Sequence, residues 1–187
     1  MKKTLYIKNM VCDRCIKVLN EELSRIPVKV LNIKLGEITV NLKAGDEEEL
    51  ARVINRNGFS IIEATPLKIV EQTKIVLIQL LEELPLVRNE KLSVFLSRKL
   101  NQDYSKVSKV FSVTEKITVE KYFIKLKIEK VKELIQLQQY NFTEISQLLD
   151  YSNSNHLSRQ FKNETGMSLS TYKTQQANSR NALDQIV

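Results

Sequence analysis

Cys12 and Cys15 are the only two thiols of the 187-residue chain, three positions apart in the stretch NMVCDRC. Such a pair can hold a metal ion, close on itself as a disulfide, or fill space. The ligand count narrows the metal. A closed structural zinc site takes four ligands, and the chain adds to the two thiols only His156, far away in sequence. Two thiolates suit a low-coordinate soft ion, Cu(I) first, with Ag(I) and Hg(II) chemically similar. Simple oxidation to a Cys12–Cys15 disulfide, and a metal-free unit serving dimerisation or a small ligand, stay open beside it.

The elements that must position the thiols are legible from periodicity. Leu5 and Ile7 alternate with Thr4, Tyr6 and Lys8, a strand pattern over residues 3–8. From Cys15 the apolar spacing turns helical through Ile16, Leu19, Leu23 and Ile26, and Pro27 closes that helix. VKVLNIKL and EITVNL follow as two strands around a tight turn at Gly36. Then comes a helix in AGDEEELARVINRNGF, with Asp46 as its expected cap and Gly58 as its left-handed end, and a short strand in SIIEA. The order β-α-β-β-α-β predicts a ferredoxin-like α+β domain over residues 1–65. The thiols fall where the first strand meets the first helix. There, backbone N–H groups and the helix dipole should lower a thiol pKa and favour thiolate.

After Pro66 the alternation stops, and the remainder reads as an all-α domain over residues 66–174 with a weakly patterned tail, 175–187. A strongly apolar helix, LKIVEQTKIVLIQLLEEL, runs to Pro85. Farther on, FTEISQLLDYSNSNHLSRQFKNETGMSLSTYK describes a helix over Phe142–Leu149, a polar turn and a second helix. Leu157 and Phe161 are i,i+4 partners that face inward. Asn153, Ser154, Asn155, Ser158, Arg159 and Lys162 are then left outward, as groups able to address base edges and phosphates in a major groove. His156 is expected on the helix surface, within reach of phosphate. About 50 residues upstream the pattern recurs. Val107 and Phe111 take the inward positions, and Tyr104, Ser105, Ser108 and Lys109 face out. A long helix from Val119 to Gln139 joins the two.

These residues carry two resemblances. Residues from about 70 to 174 resemble the DNA-binding domain of AraC-type bacterial regulators, which implies two helix-turn-helix units around a linker helix, set to enter successive major grooves. The chain departs from that pattern in three places. Asp150 stands where the family usually has Gly, Leu169 where it usually has Pro, and SVTEKIT lacks the usual Gly after the first recognition helix. Residues 3–64 resemble the heavy-metal-associated domain of copper chaperones and metal pumps. That resemblance implies Cys12 and Cys15 as ligands, Met10 packed beneath the loop and Phe59 shielding it. Asn9 stands where a Gly is usual there, and Asp13 and Arg14 put charges inside the loop.

Composition agrees with such an assembly. Hydrophobic residues make up 42% and charged residues 27%, which excludes a disordered chain. The net charge of +7 is concentrated late: residues 1–66 hold 11 basic and 9 acidic side chains, residues 67–187 hold 18 and 13. Double-stranded DNA is thus the expected partner, with RNA polymerase and a second copy of the chain as further candidates. No apolar run spans a bilayer and the first residues lack a secretory pattern, so no membrane is expected and a cytoplasmic location is. No nucleophile set, Gly-rich phosphate loop or paired acids point to an enzyme.

Overall fold

The computed structural model describes residues 1–43, 45–86, 90–175 and 180–186. The chain forms two compact units, Met1–Ile75 and Val76–Val187. The first is α+β and the second all-α, in agreement with the fold class read from the sequence.

The first unit contains β1 (Lys2–Lys8), α1 (Asp13–Leu23), β2 (Lys29–Lys34), β3 (Glu37–Asn41), α2 (Asp46–Arg56) and β4 (Ser60–Ile62). The strands form one antiparallel sheet in the order β2-β3-β1-β4. Period-2 alternation sends Leu5 and Ile7 inward, where they meet Ile38 and Val40 of β3, Leu19 and Leu23 of α1, and Leu50 and Ile54 of α2. A register irregularity between Val30 and Asn32 bends the edge strand β2, a device that discourages edge-to-edge pairing.

Two local expectations are corrected here. Helix α1 ends at Leu23, one turn before Ile26. Arg25 and Ile26 instead donate their N–H groups three residues back, to Glu22 and Leu23, the tighter turn common at helix ends. The cap of α2 is Gly45, at φ 91°, and Asp46 is the first helical residue. The Asp46 carboxylate accepts the Lys43 N–H at 2.7 Å, so it secures the approach to the helix rather than capping it.

Helix α3 (Thr65–Glu82) carries Pro66 in its first turn, where a missing N–H costs nothing. Its first part belongs to the first unit, and a Cβ on Gly36, at φ 68°, would collide with Ile75 Cδ1 of α3. The helix runs unbroken past the boundary at Ile75.

The second unit continues with α4 (Leu92–Leu100), α5 (Tyr104–Glu115), α6 (Val119–Leu137), α7 (Phe142–Leu148), α8 (Ser154–Thr165) and α9 (Leu169–Gln175). Caps set the starts of the helices. Asp103 accepts from Ser105 N–H, Thr118 from Lys121 N–H, and Asn141 forms a capping box with Glu144. Helix α6 is buried on nearly every side, and its buried residues include Lys127, Glu129 and Lys132. Lys132 donates to Glu129 at 2.7 Å, and the Lys127 ammonium lies 3.7 Å from the Tyr151 ring centroid. The tail, weakly patterned in sequence, is docked on α6. Asn181 N–H donates to Glu129 at 2.9 Å, Arg180 pairs with Glu133 at 3.0 Å, and Ile186 is buried.

Candidate nucleic-acid interface and thiol pair

Helix α8 presents two opposite faces. Leu157 and Phe161 are completely buried, and the Phe161 ring packs edge-on against Tyr172 of α9 at 5.5 Å. Across the helix, Asn155, Ser158, Arg159 and Lys162 are exposed and Ser154 is half-buried. Asn153 is exposed but its side-chain oxygen is engaged: as the N-cap of α8 it accepts the His156 N–H at 2.8 Å. Its amide nitrogen is not used in that cap. The same open cleft that holds Asn153 and Arg159 is lined by His156, Gln160 and Asn163. Gln160 and Asn163 lie outside the residues predicted for this face, although their positions on a helix with known inward partners place them beside it. His156 Nδ1 is 3.2 Å from Ser152 Oγ.

Helix α5 repeats the plan. Val107 and Phe111 are completely buried, with Phe111 against Tyr122 of α6 at 5.4 Å. Ser105 and Lys109 are exposed, while Tyr104 and Ser108 are half-buried. Tyr104 has a partner on the neighbouring helix. Its hydroxyl donates to Glu120 of α6, and burial together with that hydrogen bond pushes its pKa well above the ordinary phenol value. Tyr104 thus braces α5 on α6. Lys121 and Glu164 form a 2.6 Å ion pair that ties the start of α6 to the last turn of α8.

In the first unit, Cys12 caps α1 with its backbone, and Cys15 lies in the first turn. Both are free and half-buried, their sulfurs 2.9 Å apart, and Cys15 Sγ lies 3.9 Å from the Asn9 carbonyl oxygen. Met10 is completely buried in the core, and Cys15 and Phe59 pack partly buried against that core. Cys15 corrects the electrostatic expectation. Burial and the hydrogen bond with Cys12 raise its pKa, outweighing the backbone N–H groups that lower it. Among the described residues no group of three or more His, Cys, Asp or Glu side chains could hold a metal. The pair offers two sulfur donors.

Residues 96–175 match a family model described as a helix-turn-helix domain. The match spans α5 to α9 and most of α4, and so covers α5, α8 and the helix α6 that lies between them in the chain. It supports a DNA-binding transcription regulator. No curated protein and no solved structure matches the chain significantly. Among the described residues, no helix is long and apolar enough to cross a membrane.

Within this helix-turn-helix region the departures from the AraC pattern have a backbone explanation. Asp150, before the second recognition helix, has φ 55°, and Lys116, after the first, has φ 61°. Both sit in the left-handed region where glycine is the unstrained residue. The chain keeps the turn geometry and lacks the glycine. Asn9, before the thiols, also has a left-handed backbone, at φ 67°. Leu169 is the first residue of α9, a position proline fills well, and here its side chain is buried.

Proposed function

We propose that the chain is a cytoplasmic, non-catalytic transcription regulator whose two recognition helices read duplex DNA and whose Cys12–Cys15 pair senses a soft metal ion, with Cu(I) favoured. The observation that carries the sensing role is the thiol pair itself. Two sulfurs stand side by side at a strand-to-helix junction, and no third ligand group accompanies them among the described residues. This donor set fits a low-coordinate soft ion. Metal–sulfur bonds of about 2.3 Å need the sulfurs roughly 3.8 Å apart at a tetrahedral angle, and farther in a linear site. The half-buried side chains must therefore part from 2.9 Å. When bound, the ion would supply a fixed bridge between the thiolates; everything else is done by the protein. Met10 and Phe59 would support the loop from the core side. Homodimerisation and contact with RNA polymerase fit the same role.

A second reading is thiol oxidation, favoured by the same short separation. Titration of the reduced protein on duplex DNA with Cu(I), Ag(I) or Zn(II) tests the proposal. Soft monovalent ions should change DNA affinity while Zn(II) does little, and Cys12→Ser/Cys15→Ser should abolish the change. An unchanged response in that double variant rules out the thiol sensor. A metal carrier with a helical docking module would show no salt-dependent binding to duplex DNA.

A further inference from the structure

Helix α3 touches the thiol loop through one buried carboxylate. Asn9 N–H donates to Glu71 Oε2 at 3.3 Å, across 62 positions of sequence. Glu71 is 5% exposed and lies 3.5 Å from the ammonium of Lys74, itself 7% exposed. The same residue, Asn9, offers its carbonyl oxygen to Cys15 Sγ at 3.9 Å. Its backbone is left-handed at φ 67°, a region that asparagine tolerates better than most residues. Around this point α3 is anchored to the sheet, with Ile75 against Gly36 and the Lys68 ammonium 4.7 Å from the Tyr6 ring centroid.

We infer that Asn9 and Glu71 relay the state of the thiol pair to helix α3. This rests on the metal-sensing reading above. When one monovalent ion is held, both thiol protons leave to solvent and a bis-thiolate of net charge −1 remains. Cys12 and Cys15 must separate, so Cys15 loses its contact with the Asn9 carbonyl. Released on that side, the Asn9 peptide is free to turn and its N–H leaves Glu71. The Glu71–Lys74 pair then loses a hydrogen-bond donor on the buried face of α3, the helix that continues into the DNA-reading unit. Glu71 is a positioning residue in this scheme, not a ligand.

The test uses the full reduced chain with Ag(I) as a redox-inert probe. Amide exchange is followed at Asn9 and along residues 68–75, and DNA affinity is measured beside it. In the native protein Ag(I) should speed exchange at Asn9 by roughly tenfold, the loss of one ordinary hydrogen bond. It should also shift DNA affinity within about 5–150-fold, the usual range of coupling. Glu71→Leu/Lys74→Leu should bind Ag(I) as tightly but lose the shift, while Glu71→Gln, whose amide oxygen can still accept the Asn9 N–H, should keep most of it. Ag(I) binding with unchanged exchange at Asn9 overturns the relay and leaves the sensor standing; that measurement needs no variant. An intact shift in a folded Glu71→Leu/Lys74→Leu protein overturns it as well. Absence of Ag(I) binding by the native chain overturns the sensor, and the relay with it.

Discussion

Asn101 and Asp150 lie in the turns of the two helix-turn-helix units, at φ 50° and 55°, Asn101 as the first residue after α4 and Asp150 as the second after α7. The parallel extends to the far ends of the recognition helices, where Lys116 and Gly166 take φ 61° and 78°. Four corners of a duplicated structure thus share one backbone requirement, and only one of them holds glycine.

Strain at these corners should be removable. Lys116→Gly is expected to stabilise the protein by about 0.5–1 kcal/mol, because relief of left-handed strain exceeds the added freedom of the unfolded chain. Asn101→Gly should be closer to neutral, since asparagine tolerates this region. Thermal melts of the single variants decide the matter, and an unchanged midpoint for Lys116→Gly would remove the strain argument.

The two asparagines that open α8 should separate stability from recognition. Asn153 accepts the His156 N–H as the N-cap, so Asn153→Ala should cost about 1 kcal/mol of stability. Asn155 is exposed and caps nothing. Asn155→Ala should leave the denaturation midpoint in place and weaken binding to the preferred DNA site. Paired urea titrations and DNA-binding isotherms measure both effects.

Arg159 and Lys162 share the outward face of α8 but differ in what they can read. Arg159→Ala should cost about 1–3 kcal/mol at the preferred site and relax discrimination at one base position. Lys162→Ala should weaken all sequences alike and lower the salt slope by about 1. Affinity measured against salt concentration on matched and mismatched duplexes separates the two.

Cys15 should be slow to alkylate. Burial and Cys12 raise its pKa above the reference 9.0, so at pH 8 less of it is thiolate than in a free peptide, and rate profiles against pH should be displaced upward. The linked stability has a definite sign. The folded state holds its proton longer than the unfolded one, so the contribution is complete below the ordinary thiol pKa. It is lost as pH rises through the raised folded value. A Cys15 that reacts faster than free thiol at pH 8 would contradict the burial seen here.

Much of this is legible in the chain itself. Alternation at Leu5 and Ile7 and i,i+4 spacing at Leu157 and Phe161 specify strand and helix, because each pattern depends on neighbours a few residues away. The same local logic assigned Val107 and Phe111 inward and placed the thiols at a strand-to-helix junction. Tertiary structure decided what depends on distant partners. Lys127, Glu129 and Lys132 are buried in α6, where Tyr151 and the tail pack against them. Tyr104 reads as an outward residue, and folding gives its hydroxyl a partner in Glu120 of α6. The direction of the Cys15 pKa follows from burial, which no spacing encodes. The bond from Asn9 to Glu71 joins residues 62 apart, and only folding brings a left-handed loop peptide against a buried carboxylate.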